Sequence, residues 1–439
     1  MDWGKLLGRN RVINGRVEFT LDSSNGRSPF EKDFDRIVYS QPFRRLQNKT
    51  QVHTLPNNDH VRNRLTHSLE ASTIARSLGL RVGEWLKDVA KEQVDPSDIA
   101  ACVQAATVAH DIGNTPFGHA GEEVIQEWFR REDTSERTKR LSLSEKEKWD
   151  FWGFNGNAQG FRILTRAKTG YSGDGLQLTS AVLASFVKYP TCSDRNAKCG
   201  IFQGEGDLYD DIASYLGIPR LQHDHPRQWA RHPLVYLVEA ADDAAYLTAD
   251  IEDGVELGLI ALDDALEAFS SLSDFTDGEP PKVYASLSRY RARAIRGLIQ
   301  RAFDQFVQSY EGIMLGAPMP ALLTSERDTN VKKLRDIAEQ KLFTAIPKLK
   351  WELAGRQALE GLLKTFALTT CEFSKAGWNM DCLSRQSPKD WRILKLMQVE
   401  TPSRAMSGYE ALHRVTDFIA GQTDRFAVDL WRSLRGVKL

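Results

Sequence analysis

Apolar positions along the chain recur at three- and four-residue spacing far more often than they alternate, so the elements they predict are almost all helices. Ile99, Cys102, Val103 and Ala106 share one helical face that leads to His110, which aims this imidazole inward beside Asp111. Gly113 is a natural helix stop and Pro116 prevents simple continuation. The pattern restarts at about Gly118, with His119 and Glu122 three apart on one face. Upstream, a helix is predicted over about 30–39, and Pro42 then resets the backbone. A longer one over about 66–90 places His67, Glu70, Ala71, Ile74 and Leu78 on one side, with His67 in its first turn. The helix after Pro233 carries Leu234, Val238, Ala241, Asp242, Ala245 and Ala249 together. Along it Asp242, Tyr246 and Asp250 follow at fours, a polar stripe that is costly to bury unless something cationic meets it.

Shorter helices are expected near 179–187 and 208–216, and long ones over 282–310, 331–346, 356–369 and 409–434. Residues 1–28 form an extended or hairpin-like lead whose only alternating run is 16–21, residues 130–150 are dominated by solvated charge, and 191–231 are loop-rich. No strand-turn-strand series, internal repeat or low-complexity tract is present. The expectation is an all-α protein: an N-terminal lead over 1–28, a helical catalytic core over 29–260, and a C-terminal helical region over 261–439 packed on that core, with at most a small β-hairpin near the N-terminus.

Composition narrows the function classes. The chain has 439 residues, 41% of them apolar, enough for a substantial core, and a formal charge of -1, so no global field recruits nucleic acid or an anionic membrane. Five cysteines without a CxxC fit a reduced compartment better than a disulfide scaffold. The opening residues lack the apolar run of a signal peptide and no apolar stretch is long enough to span a bilayer, so a cytoplasmic protein is expected.

His67, His110, Asp111 and Asp242 supply two imidazoles and two carboxylates from separate helices. That donor mixture suits an octahedral divalent ion, Mn2+ or Mg2+ first and Fe, Co or Ni next, better than a closed tetrahedral zinc site, and it leaves positions open for water or a phosphate oxygen. Singly, each histidine is more often a hydrogen-bonded core residue than a ligand. Cys192 with Cys199 and His223 with His225 have zinc-binding residue types, but the cysteine spacing fits no ordinary finger, so they are read as loop residues without metal.

Context comes from an ordered set of motifs. Phe43-Arg44-Arg45-Leu46 with Lys49-Thr50-Gln51-Val52, Asn63-Arg64-Leu65-Thr66-His67-Ser68-Leu69-Glu70, the stretch 107–122, Phe154-Asn155-Gly156-Asn157-Ala158-Gln159, Lys188-Tyr189-Pro190, residues 231–246 and Asp417 to Asp424 follow one another in order. Taken together the chain resembles, over nearly its whole length, the HD-domain deoxynucleoside triphosphate triphosphohydrolases, whose bacterial members are called dGTPases. The resemblance implies an HD-domain core and metal-dependent hydrolysis of dGTP or several dNTPs to deoxynucleoside and inorganic triphosphate. In that family the metal Asp lies four residues before a Tyr and eight before a second Asp, which selects Asp242 over Asp243. Asp243 then points about a third of the way round the helix, toward a hydrogen bond or salt bridge between helices.

The resemblance also implies roles. His119 stands where a general acid protonates the departing 5′-oxygen, and Glu122 one turn on can hydrogen-bond it and raise its proton affinity; otherwise the pair merely orients the metal ligands. Arg64 and Lys188 are placed at the triphosphate, Gln51 and Asp250 at the sugar 3′-hydroxyl, Tyr246 near the sugar-phosphate, and Tyr189 at the same pocket. Some relatives carry His where this chain has Asn114 and Asn157, which leaves the supplementary contacts of those positions open. Family members assemble as hexamers or tetramers, and some respond to single-stranded DNA or to a dNTP effector. The base preferred is not marked by any motif. Two rival readings remain: another HD-domain phosphohydrolase acting on a different nucleotide, told apart by its phosphorus product, and a catalytically silent nucleotide or DNA sensor, against which the His119 and Glu122 pair argues.

Overall fold

The computed structural model describes residues 1–20, 26–51, 60–166, 175–194, 198–222, 226–273, 278, 281–324, 326, 328–403 and 406–437. Local chemistry sets the helix starts. Ser28 and Glu31 form a reciprocal capping box around Pro29, opening the helix Pro29–Val38. Asn63 and Thr66 do the same for the long helix Arg64–Asp88, and Asp95 caps Pro96–Val108. These last two helices pack against each other along their length, and Val235–Glu256 crosses both. The side chains between them are small or branched apolar residues such as Ala71, Leu78, Val103, Ala106, Ala241 and Ala245, all buried.

The buried apolar residues divide into two clusters. One runs from Trp3 through these three helices to Leu287–Met314 and Ala338. The other joins Phe117, Val124, Ile125 and Trp128 to Leu359, Leu362 and Phe366 on Ile346–Lys375 and to Leu412, Val415 and Ile419 on Gly408–Ala420. Ile112 belongs to the first and Phe117 to the second, so the break between them falls in the turn 113–116. That turn leaves His110 and Asp111 on one side and His119 on the other.

The architecture is all-α, as the helical periodicity implies. Among the described residues the strands form two two-stranded ribbons. Arg11–Ile13 pairs with Arg16–Glu18 across Asn14 and Gly15, both at positive φ (51° and 72°), as a two-residue hairpin turn requires. The second ribbon, Arg220–Gln222 with Gln228–Trp229, lies in the stretch whose composition reads as loop. The lead also holds a short helix, Trp3–Leu6, and is tied down by a buried Arg11–Asp33 ion pair at 2.5 Å.

Several helix bounds differ from the periodicity. The helix leading to His110 ends at Val108, and His110 sits in the turn beyond it with its N–H on Thr107 O at 3.1 Å. The pattern over 331–346 divides into Thr329–Ile337 and a wider turn Ala338–Phe343. The next helix starts at Ile346 with Pro347 in its first turn and runs to Lys375, its early turns hidden in the sequence by Lys348, Lys350 and Glu352. The pattern over 409–434 is two helices, Gly408–Ala420 and Asp424–Leu434, because the Thr423 hydroxyl accepts from Phe426 N and begins a new helix.

Gly113 shows how tightly the central turn is packed. A Cβ there would overlap the carbonyl oxygen of Gly156 and the backbone of Gly160, none of which can rotate away. Gly113→Ala is therefore expected to destabilise the protein by about 1–3 kcal/mol, read as a lower denaturant midpoint at unchanged slope.

Candidate active site

The capping box at Asn63 puts Arg64 at the first position of its helix and His67 one turn in, with His67 N–H on Asn63 O at 3.0 Å. His110 donates from Nδ1 to Thr107 O at 2.7 Å, which fixes the ring and turns Nε2 toward the helix Val235–Glu256. There Asp242 Oδ1 meets both rings, 3.0 Å from His67 Nε2 and 3.2 Å from His110 Nε2. The imidazoles stand edge to face with centroids 5.3 Å apart. Asp111 Oδ1 lies 3.5 Å from His110 Nε2 and accepts from Arg64 at 2.8 Å and from the Asn114 amide. Its other oxygen is buried without a hydrogen-bond partner.

His67, His110 and Asp111 can each bring a ligand atom within 4.8 Å of the others, and Asp242 joins them through its contacts to both rings. The orphaned Asp111 oxygen and two imidazole nitrogens converging on one carboxylate are what a divalent cation would complete, so the donor set fits a metal ion. The carboxylates dominate the local electrostatics. Burial alone would lower the His110 pKa, but the Asp242 and Asp111 carboxylates outweigh it and push the ring up to about 9. Burial opposes ionisation of Asp242 too, yet the two imidazoles hold it well below the usual carboxylate range. Burial opposes ionisation of Asp111 as well, but Arg64 beside it lowers its pKa.

His67 is buried, and Arg64, His110, Asp111 and Asp242 line a cavity of about 900 Å³. His119, first residue of the helix His119–Arg130, projects into it with its side chain 94% exposed, while Glu122 is buried beneath. Their Nδ1 and Oε2 are 3.5 Å apart, and the other Glu122 oxygen accepts from Gly156 N at 3.0 Å. The hydrogen bond that His119 Nδ1 donates to the Glu122 carboxylate raises the His119 pKa. Gly118, at φ 59°, precedes this helix, and a Cβ on it would collide with the Arg64 guanidinium.

The remaining sequence candidates reach the same cavity: Gln51, Arg64, Lys188, Tyr189, Tyr246 and Asp250 all line it. Lys188 pairs with Glu239 at 2.9 Å, a carboxylate shared with Arg231 at 2.6 Å. Gln51 Oε1 and Asp250 Oδ1 are buried without partners, and burial pushes the Asp250 carboxyl well above its ordinary pKa. Asp243, also on the cavity wall, forms an ion pair with Arg335 at 3.7 Å. Asn114 buttresses Asp111, and Asn157 donates to Asn155 at 2.8 Å. Cys192 and Cys199 are buried thiols whose pKa values burial pushes up to about 12; His223 and His225 lie outside the described residues.

Sequence reasoning missed the far wall of the cavity, where Phe343, Lys348, Trp351 and Glu352 come from beyond residue 260. Helical periodicity gives these residues a face but not the neighbour that face meets.

The HD domain family matches residues 64–154, which span three of the four clustered residues and the His119 and Glu122 pair. A Pseudomonas aeruginosa protein named "deoxyguanosinetriphosphate triphosphohydrolase-like protein" is 38% identical, over 99% of both chains. The chain belongs to this family. A Synechocystis member of the same name is 35% identical over the full length of both chains, and a Yersinia pestis protein named "deoxyguanosinetriphosphate triphosphohydrolase" is 26% identical over 92% of this chain and 93% of its own. Asp242 lies outside the matched HD segment and reaches the cluster only through the fold. Among the described residues, no helix is long and apolar enough to cross a membrane.

Proposed function

We propose that the protein hydrolyses deoxynucleoside triphosphates to deoxynucleoside and inorganic triphosphate, with residues 29–260 as the catalytic core and 261–439 packed on it. The observation that carries the reading is the meeting of two imidazoles and two carboxylates, three of the four on the wall of a cavity that is also lined by His119, Glu122 and the cations Arg64 and Lys188. His67, His110, Asp111 and Asp242 would hold a divalent ion, Mn2+ or Mg2+, which when bound neutralises phosphate charge and makes water a usable nucleophile near neutral pH.

The chain's own residues do the rest. Arg64 and Lys188 offer positive charge to a triphosphate, although each is shared with a carboxylate that keeps it in place. Gln51 and Asp250 present buried polar atoms that lack partners, suited to a sugar hydroxyl, and Tyr246 and Tyr189 line the same cavity. When water adds at the α-phosphorus and the bond to the 5′-oxygen breaks, that oxygen needs a proton. His119 projects into the cavity to supply it, and its hydrogen bond to Glu122 raises its proton affinity. Assembly into hexamers or tetramers and control by single-stranded DNA or a dNTP effector belong to the same reading.

Incubation of the purified protein with each of the four dNTPs and Mn2+ or Mg2+, followed by phosphorus NMR, tests this. Tripolyphosphate is expected; orthophosphate, pyrophosphate or a nucleotide product instead would assign a different phosphohydrolase activity. Glu122→Gln supplies a further check. The pKa of His119 is raised by Glu122, so its proton persists as pH climbs; without that carboxylate the proton is lost earlier. The alkaline limb of kcat should move to lower pH, with a larger loss at pH 8 than at pH 6.

A further inference from the structure

The C-terminal motif 417–424 has no chemistry in the proposed reaction, yet its residues reach the walls of the cavity. Asp417 binds Arg162 through both oxygens, at 2.9 and 3.0 Å, and accepts from Gln159 at 2.9 Å. The carbonyl of Ala420 accepts from Lys49 Nζ at 2.8 Å, and the same buried ammonium donates to Asn114 O. Asp424, the first residue of its helix and 2% exposed, goes further. Its Oδ2 accepts from Thr50 N at 2.9 Å and its Oδ1 from Phe117 N at 3.0 Å.

Each of those amides adjoins a group assigned a role above. Thr50 precedes Gln51, and Phe117 lies two residues before His119. Phe117 and Gly118 both have positive φ, 64° and 59°, a conformation that a phenylalanine holds only when its surroundings impose it. A carboxylate is the side chain suited to the task, because two N–H donors on separate loops need two acceptor oxygens and an amide offers only one.

We propose that Asp424 is a positioning residue whose carboxylate, by bridging the backbone N–H groups of Thr50 and Phe117, fixes the loops carrying Gln51 and His119 relative to each other. The proposal rests on the roles given above to those two residues. It assigns to the C-terminal region a part in catalysis without contact with the reacting atoms.

The test uses the full-length chain with Mn2+ and the four dNTPs. Asp424→Asn keeps size and removes one acceptor, so kcat should fall by roughly 10²-fold while Mn2+ affinity stays within twofold of the parent. In a His119→Ala background the same substitution should cost kcat roughly tenfold less than in the parent, because one of the two groups it positions is gone. An equal fold-loss in both backgrounds, or loss of Mn2+ binding, would overturn the proposal in favour of general structural damage. A slow His119→Ala enzyme beside a fully active Asp424→Asn enzyme would overturn it alone, whereas a fully active His119→Ala enzyme would overturn the role of His119 on which it rests. Amide exchange in the unaltered chain needs no variant: Thr50 and Phe117 should be protected, and rapid exchange at both would refute the bridge.

Discussion

Asp242→Ala is expected to lower Mn2+ affinity by more than ~10²-fold, because even groups that only orient ligands are worth that much, and to remove turnover with it. Asp243→Ala, one position along the helix, is expected to keep the metal. The difference follows from where the two carboxylates point. Asp242 faces both imidazoles, at 3.0 and 3.2 Å, and is held ionised by them. Asp243 faces Arg335, and burial together with the neighbouring Asp242 pushes its own pKa up to about 7. Losing Asp242 also leaves the His110 and His67 rings without their shared acceptor, and His110, pushed up to about 9 by Asp242 and Asp111, loses part of that support. Isothermal titration with Mn2+ separates the two variants. Equal loss in both would mean that the helix, not one carboxylate, governs binding.

His119→Ala is expected to do the opposite: Mn2+ retained, kcat reduced by about 10²–10⁴-fold. His119 makes no contact with the four clustered residues, and its side chain is 94% exposed to the cavity, so its removal leaves neither a void nor an unpaired ligand. Glu122 keeps its bond from Gly156 N and continues to anchor the helix. Single-turnover measurement with dGTP and with the other dNTPs reads this directly, and unchanged turnover with metal bound would return His119 to a structural role.

Much of this site was legible in the chain because its groups carry their chemistry in their side chains. Residue type and spacing put two histidines and two aspartates on predicted helices, with a further His and Glu three apart after a Gly and Pro break, and the resemblance to the family implied a metal and an acid there. What stayed hidden has a common cause. Lys49 is buried against the carbonyls of Asn114 and Ala420, and Asp424 against the amides of Thr50 and Phe117, and backbone groups bear no residue identity that a sequence could display. The wall formed by Lys348, Trp351 and Glu352 was hidden for another reason, since charged positions early in Ile346–Lys375 read as solvent-facing until the cavity is seen beside them. The split at 421–423 likewise escaped periodicity, because the apolar rhythm resumes in nearly the same phase after Thr423 restarts the helix.

The account depends on four side chains distant in sequence serving one cation. Crystals grown with Mn2+ and measured at the manganese edge put that to a single observation. One strong anomalous peak per chain is predicted, with a nitrogen of His67 and of His110 and an oxygen of Asp111 and of Asp242 all at ~2.0–2.3 Å. A peak elsewhere in the molecule, or none at millimolar Mn2+, would contradict it.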